Sequence, residues 1–223
     1  MSILLSADGS HTLLSEKYGV TYHSRYGAVT ETTHVFIGAG LHWKAQYKLE
    51  ISVLEIGFGT GLNTFMTMLE AEQQSYQVRY VTLETMPLTV AAAEALNYPE
   101  ILEVPQRRDD FLRLHRCAWN EPQVYSPCFS FEKKQLSLLD FYAKNAFDLV
   151  YFDAFAPQAQ PEMWEEAVFG GLFDALREGG GLVTYCAQGE FRRRLRRSGF
   201  MVEKLPGPPG KREMTRAIKQ TSG

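Results

Sequence analysis

Beyond residue 50, short apolar runs alternate with segments in which hydrophobic side chains recur every three or four positions. The run at 53–56 stops at a cluster of glycines, and Leu62, Phe65, Met66 and Leu69 then fall on one helical face. A second run at 78–83 reaches Glu84. Pro87 follows where a first helical turn tolerates proline, ahead of an alanine-rich helix. The run at 147–152 ends at Asp153. Pro161 opens a helix expected to continue to about Arg177, with Gly179, Gly180 and Gly181 as its stop. A strand at 182–186, a helix at 190–198 closed by Gly199, and a hairpin pairing 201–205 with 214–218 complete the pattern. The stretch from 109 to 140 is irregular, and one strand is placed there at 123–131. Alternation of this kind predicts an α/β fold: a mostly parallel sheet with helices on both faces, ending in a C-terminal β-hairpin. Residues 1–50 are turn-rich and aromatic, as in YGVTYH at 18–23, and read as a small N-terminal cap on a main domain at 51–223.

A chain of 223 residues with 45% hydrophobic positions can bury one sizeable core. Its net charge of −3 argues against a protein that coats nucleic acid on every side, but the charge is uneven. From Cys186 to Gly223 there are ten Lys/Arg against three Asp/Glu, a local +7 that leaves −10 on the remainder. Such asymmetry suggests a polyanion at one face, with a solvated charged surface as the alternative. The three cysteines form no C-x-x-C pair, which excludes a disulfide framework and gives no sign of a metal site. The amino terminus, MSILLSADGS, is too short in its apolar run for a signal peptide or membrane span, so a cytoplasmic protein is expected.

The glycines sit in LEIGFGTGLN at 54–63, beyond a strand end, where open parallel sheets bind ligands. A dinucleotide fingerprint requires glycine where this chain has Leu62, and a phosphate-cradling loop requires a lysine that is absent near Gly61. Glu55 adds a carboxylate that would repel a pyrophosphate but suits a cationic ligand. S-adenosylmethionine carries both a sulfonium and an ammonium. Glu84, 23 residues beyond Gly61, stands where an acid accepts hydrogen bonds from a ribose diol. The pattern is that of a class I (Rossmann-like) methyltransferase; a dehydrogenase, or glycines serving only a tight turn, are the other readings.

Asp153 ends the strand FDLVYFD on the same edge of the sheet, followed by AFAP. An acid there can orient an amine for methyl transfer, in which alignment and desolvation do most of the work. As a base it would act only with a raised pKa. A helix-capping or turn-forming Asp is the plainer reading.

EIGFGTGLN at 55–63, DAFAP at 153–157 with PEMW at 161–164, and GPPGKREM at 207–214 together resemble the tRNA (5-methylaminomethyl-2-thiouridine) methyltransferase family. YHS at 22–24 and ETTHVF at 31–36 match its leading segment. That family includes the amino-terminal half of the bifunctional enzyme MnmC and single-domain relatives. With no room for the oxidase half, this chain resembles the single-domain form, and an oxidoreductase of the same pathway is expected as a separate protein. The resemblance implies methylation of the exocyclic amine of 5-aminomethyluridine at the tRNA wobble position, in the anticodon loop. It places Glu55, Gly57, Phe58, Gly59, Gly61 and Asn63 at the cofactor, Glu84 at the ribose, and Asp153 at the substrate amine as the catalytic residue. The neighbourhood expected near the adenine corresponds to FEKKQ at 131–135, with no reader assigned.

On the basic tail, Phe191 and Leu195 dock a short helix whose arginines, Arg192, Arg193 and Arg196 among them, are candidates for RNA phosphates. Lys211 and Arg212 project from the Pro/Gly loop and are candidates to grip backbone near the base. Phe155 or Tyr185 could stack on a turned-out base beside Pro157; core packing is the alternative for each aromatic. Two other functions fit the same motifs: an amine methyltransferase acting on a metabolite or protein, and a non-catalytic tRNA-binding module.

Overall fold

The computed structural model describes residues 2–221. A small hairpin, β1 (Ile3–Leu5) and β2 (His11–Leu13), precedes the main sheet. The sheet then takes β3 (Glu50–Ile56), β4 (Gln77–Leu83), β5 (Gln123–Ser126), β6 (Phe129–Lys134), β7 (Phe147–Phe152), β8 (Leu176–Thr184), β9 (Met201–Pro206) and β10 (Glu213–Ile218). Its order is β5-β6-β4-β3-β7-β8-β10-β9. Strands β6, β4, β3, β7 and β8 are parallel; β10 enters antiparallel beside β8, pairing Thr215 with Thr184, and β9 closes the edge. This is the class I Rossmann-like methyltransferase architecture, with the hairpin cap at one end and the expected β9–β10 hairpin at the other.

The pleat decides which core each strand serves. Val53, Tyr80, Tyr151 and Val183 face one cluster with Phe36, Phe65 and Phe111. Their neighbours Leu54, Val81, Phe152 and Leu182 face a second, with Trp164, Phe169 and Phe191. All six residues of β7 are buried, as expected of a central strand covered on both faces. Each large apolar side chain so buried contributes about 1.5–3 kcal/mol.

Five departures from the sequence expectations have identifiable causes. First, the leading fifty residues contain a long helix that the turn-rich pattern concealed. It begins at Ala28–Thr32, widens to π geometry over Thr33–His42, and ends with Trp43–Ala45. Gly40 lets it lie close on the sheet, since a Cβ there would stand 3.0 Å from both the Tyr151 ring and Val183. Second, the segment at 123–131 is two strands, β5 and β6, broken at Pro127, which has no N–H for a ladder. A helix at Arg108–Arg116 precedes them, docked by Phe111, Leu112 and Leu114.

Third, the helix expected from Pro161 to Arg177 is a 3-10 turn, Pro161–Trp164, an extended Glu165, and a helix Glu166–Ala175. The break follows from Trp164, which is buried and donates its indole N–H to the Phe155 carbonyl at 2.8 Å. Fourth, Gly179, Gly180 and Gly181 lie inside β8 rather than stopping a helix. The β7–β8 register jumps between Phe147↔Leu176 and Leu149↔Gly181. A Cβ on Gly181 would meet the Trp43 ring at 2.5 Å. The alanine-rich helix is also short, Val90–Glu94, with Thr89 rather than Pro87 at its start and the Thr89 hydroxyl accepting from the Ala92 N–H.

Candidate functional site

The carboxyl ends of β3, β4 and β7 converge on a cavity of ≈ 280 Å³, near the lower end of the range for small-molecule sites, roughly 300–1,000 Å³. Gly57, Phe58 and Gly59 line it from the loop after β3, Glu84 from β4, and Asp153 from β7. The loop is possible because Gly57, Gly59 and Gly61 all have positive φ, 92°, 50° and 76°. At Gly61 space is also short, since a Cβ would stand 2.8 Å from the His115 Nε2. Glu84 ties the loop down: its Oε2 accepts from the Gly59 N–H at 3.0 Å, and its Oε1 from the N–H groups of Thr85 and Met86 at 2.8 and 2.7 Å.

Behind the loop, Asn63 and Glu55 are buried at 2% and 0% exposure. Asn63 accepts the Thr32 hydroxyl at 2.8 Å and donates its amide to Asp153 Oδ2, also at 2.8 Å, so the long N-terminal helix helps to orient Asp153. Glu55 accepts from the Thr64 hydroxyl at 3.0 Å. Burial, and then the nearby Asp153 charge, push its pKa up to about 8. Among the described residues, one of its oxygens finds no hydrogen-bond partner. Phe58 touches the cavity, but its ring is 4% exposed and packs on His115 and Phe131 at 4.9 and 5.8 Å, a core role.

Asp153 lies deep in the protein yet opens onto the cavity. Burial, and next the Glu31 charge, raise its pKa to about 7 against the lowering effects of Asn63 and Lys211. Phe155 folds over the cavity, its ring 4.7 Å from Tyr18 and 5.1 Å from Tyr22.

Several lining residues were absent from the sequence-derived set. Tyr18, Tyr22 and His23 enter from the cap, Leu136, Ser137, Leu138 and Leu139 from the loop after β6, and Gln160, Glu162 and Met163 from the turn after β7. The YGVTYH stretch was the available signal for the first group. For the second, the lining falls one step beyond FEKKQ: Lys133 is buried, its ammonium on the His115 carbonyl at 2.5 Å, and Glu132 pairs with Lys134.

On the far side of DAFAP, an open groove of ≈ 520 Å³ is lined by Pro157, Tyr185, Lys211 and Arg212, with Gln188 and Glu213. Tyr185 donates its hydroxyl to the Ala154 carbonyl at 2.8 Å. Lys211 pairs with Glu31 and stands 3.9 Å over the Tyr185 ring, so it points inward rather than to solvent. The cavity and the groove therefore meet at the DAFAP turn.

The helix Gly189–Arg197 corrects one expectation. Arg192 does not face solvent with the other arginines; it is 4% exposed beside Phe191 and Leu195. It donates to Thr215 at 2.9 Å, Glu213 at 2.6 Å and the Met214 carbonyl at 2.9 Å, pinning the helix to β10. It is a structural strut, unavailable to a phosphate. Arg193 is exposed but paired with Glu190 at 2.7 Å, and Arg197 with Glu166 at 2.6 Å. Arg196 is exposed and donates to the Arg192 carbonyl at 3.5 Å. Among the described residues no group of three His, Cys, Asp or Glu could hold a metal ion, and no helix is long and apolar enough to cross a membrane.

Comparison with known proteins agrees with this geometry. Residues 129–220 match a family of S-adenosyl-L-methionine-dependent methyltransferases. The chain is 32% identical over 230 residues, 97% of its length, to the tRNA 5-methylaminomethyl-2-thiouridine biosynthesis bifunctional protein MnmC of Ralstonia nicotianae. It is 30% identical over 224 residues, 95% of its length, to that of Leptospira borgpetersenii. It spans 34% of the length of each of these relatives. The crystal structure of MnmC2 from Aquifex aeolicus superposes with a TM-score of 0.76 at 25% identity, covering 99% of this chain and 71% of that one. A spermidine synthase bound to a transition-state analogue shares the fold, with a TM-score of 0.56 at 17% identity over 100% of this chain and 74% of that one.

Proposed function

Because the chain is an S-adenosylmethionine-dependent methyltransferase related to the MnmC tRNA-modification enzymes, we propose that it methylates the exocyclic amine of 5-aminomethyluridine, or its 2-thio form, at the tRNA wobble position. The product is the 5-methylaminomethyl nucleoside. One observation carries this reading: Asp153, a carboxylate with its pKa raised to about 7, stands where the enclosed cavity meets a groove lined by Lys211 and Arg212.

The residues fit the cofactor. The glycine loop leaves a space beside Gly57 and Gly59 that a Cβ would fill, 3.1 Å from the Asp153 carbonyl oxygen and 3.1 Å from the Tyr22 ring. Glu84 Oε2 accepts one N–H, and a carboxylate oxygen can accept a second hydrogen bond from a ribose hydroxyl. When bound, S-adenosylmethionine supplies an electrophilic methyl group. Gly57, Gly59 and Gly61 shape the loop that would hold it, Asn63 and Glu55 support that loop from behind, and Tyr18, Tyr22 and Phe155 keep water from the reacting centre.

Asp153 orients the amine and takes its proton. An alkylammonium with an ordinary pKa near 10.4 transfers a proton to a normal aspartate at a cost of about 9 kcal/mol, and to one at about 7 for about 5 kcal/mol. Asn63 fixes one Asp153 oxygen, leaving the other as acceptor. On the groove side, Arg212, Arg193 and Arg196 offer salt-sensitive contacts to RNA backbone.

Incubating the protein and S-adenosylmethionine with tRNA bearing 5-aminomethyluridine should add one methyl group to the wobble nucleoside, read by mass spectrometry. A nucleoside that gains no mass refutes the proposal. The paired state of Arg193 and Arg197 favours a second reading, methylation of an amine on a metabolite or protein. That reading predicts turnover insensitive to salt and to competing unmodified tRNA.

A further inference from the structure

Glu31 lies on the long N-terminal helix, next in sequence to the Thr32 whose hydroxyl holds Asn63, which in turn holds Asp153. Its carboxylate is 5% exposed. A buried carboxylate needs a cation or several donors, because burial without them is costly. One Glu31 oxygen accepts a long bond from the Ser24 N–H, 3.3 Å; the other receives the Lys211 ammonium. Lys211 reaches it from the groove, across the face of Tyr185, and is itself 30% exposed. A primary ammonium on a flexible alkyl arm thus sits between a carboxylate and an aromatic face, at the groove end that adjoins Asp153. A 5-aminomethyl substituent carries the same group.

We propose that Glu31 and the face of Tyr185 form the docking point for the substrate's protonated amine, and that Lys211 holds this place until the substrate arm displaces it. An aromatic face adds attraction for primary and methylated ammonium alike. Lys211 is carried on the turn between β9 and β10, beside Gly210 at a φ of 83°, so its displacement moves a surface loop and leaves the core intact. Once released, its charge is free for the RNA backbone. The inference rests on the proposed reaction only in requiring an alkylammonium substrate.

Thermal unfolding of Lys211→Met, with methylammonium chloride as probe against potassium chloride of equal ionic strength, tests it without RNA. Lys211→Met should gain about 3 °C from methylammonium at tenfold its dissociation constant. The Glu31→Gln/Lys211→Met double variant should respond equally to both salts, and the parent protein, whose Lys211 competes for the place, should gain less than Lys211→Met. Equal responses in Lys211→Met, or an undiminished gain in the double variant, overturn the proposal. If Lys211→Met does not fold, Lys211→Gln retains a donor toward Glu31 and is read in the same way. Methylammonium binding by a protein that leaves aminomethyluridine tRNA unmethylated would uphold the docking point and refute the RNA assignment.

Discussion

The cavity and the groove on either side of the DAFAP turn are built in different ways. The cavity is framed by three parallel strand ends, its glycine loop clamped by Glu84 and backed by the fully buried Glu55 and Asn63. The groove is framed by β8, the β9–β10 turn and the end of DAFAP, with Lys211 already paired to Glu31 and Glu213 to Arg192, beside an exposed Arg212. The first is a socket whose shape depends on backbone conformation. The second is a surface whose ligand must compete with internal partners. This contrast follows from the sheet: the parallel part anchors the loops in a core, whereas the antiparallel hairpin at the edge presents turns.

The sharpest way to break the comparison is at the junction. Asp153→Asn keeps the shape and an acceptor for Asn63 but removes the base, and should lower the methyl-transfer rate by about 10²–10⁴-fold. Cofactor affinity should be retained, and the melting temperature should not fall at pH 7 and above, since the amide removes a carboxyl whose ionisation burial opposes. The rate of the normal enzyme should rise with pH through about 7, as Asp153 ionises, and lose that limb in the variant. A rate unchanged within twofold would remove Asp153 from the chemistry.

Next in size is Arg192→Ala, which separates a strut from a phosphate contact. Removing a guanidinium that holds Thr215, Glu213 and the Met214 carbonyl should cost about 2–3 kcal/mol in denaturant unfolding. The slope of tRNA affinity against salt should not change. A lowered slope with unaltered stability would return Arg192 to the RNA face.

These two residues also show how far the sequence could be read. Asp153 was legible because local order suffices: an apolar run ending in an acid and then a turn places the carboxylate at a strand end. The glycine loop and Glu84 were legible for the same reason. Arg192 was not, because in RRRLRR the helical period alone cannot say which arginine faces β10 when a buried acceptor, Thr215, waits 23 residues away. Glu31 and Lys211 are 180 residues apart, and no spacing announces their contact. The helix from Ala28 to Ala45 was hidden by Gly38 and Gly40, the second of which lets it approach the sheet. The parallel core and its loop were thus readable from periodicity, while the antiparallel edge and the cap needed tertiary pairing.

A third test addresses the rigidity of the socket. Glu55 has a folded pKa of about 8, above its ordinary 4.5, so the folded state holds a proton that the unfolded state has lost. Its contribution is therefore most favourable below pH 4.5 and declines as pH rises toward 8. His23 and His115, lowered by burial to about 4, act oppositely and add stability as pH rises from about 4 to 6.5. Between pH 6.5 and 8 the carboxyl groups of Glu55 and Asp153 dominate. Glu55→Gln should raise stability at pH 8 by about 4 kcal/mol and at pH 5 by less than about 1 kcal/mol. A pH-independent difference in chemical denaturation would show that Glu55 is not titrating inside the fold.

The smallest effects belong to the exposed arginines, and they decide whether the groove side meets RNA at all. Arg193 is 62% exposed and paired with Glu190, a surface pair worth at most about 1 kcal/mol, so Arg193→Ala and Arg196→Ala should each leave stability within about 0.5 kcal/mol. If each contacts one phosphate, each substitution should reduce the slope of log affinity against log salt by about 0.7–0.9, since one fewer counterion is released. Glu190 complicates the expectation: it also holds Arg197, and the positive ends of these side chains reach RNA only if the anion loses its share of them. Glu190→Gln should therefore tighten tRNA binding while Arg193→Ala weakens it, and the double variant should fall between. Were Glu190→Gln to leave the affinity unchanged at low salt, this helix would be a solvated charged face, and contact with RNA would rest on Arg212 and a displaced Lys211 alone.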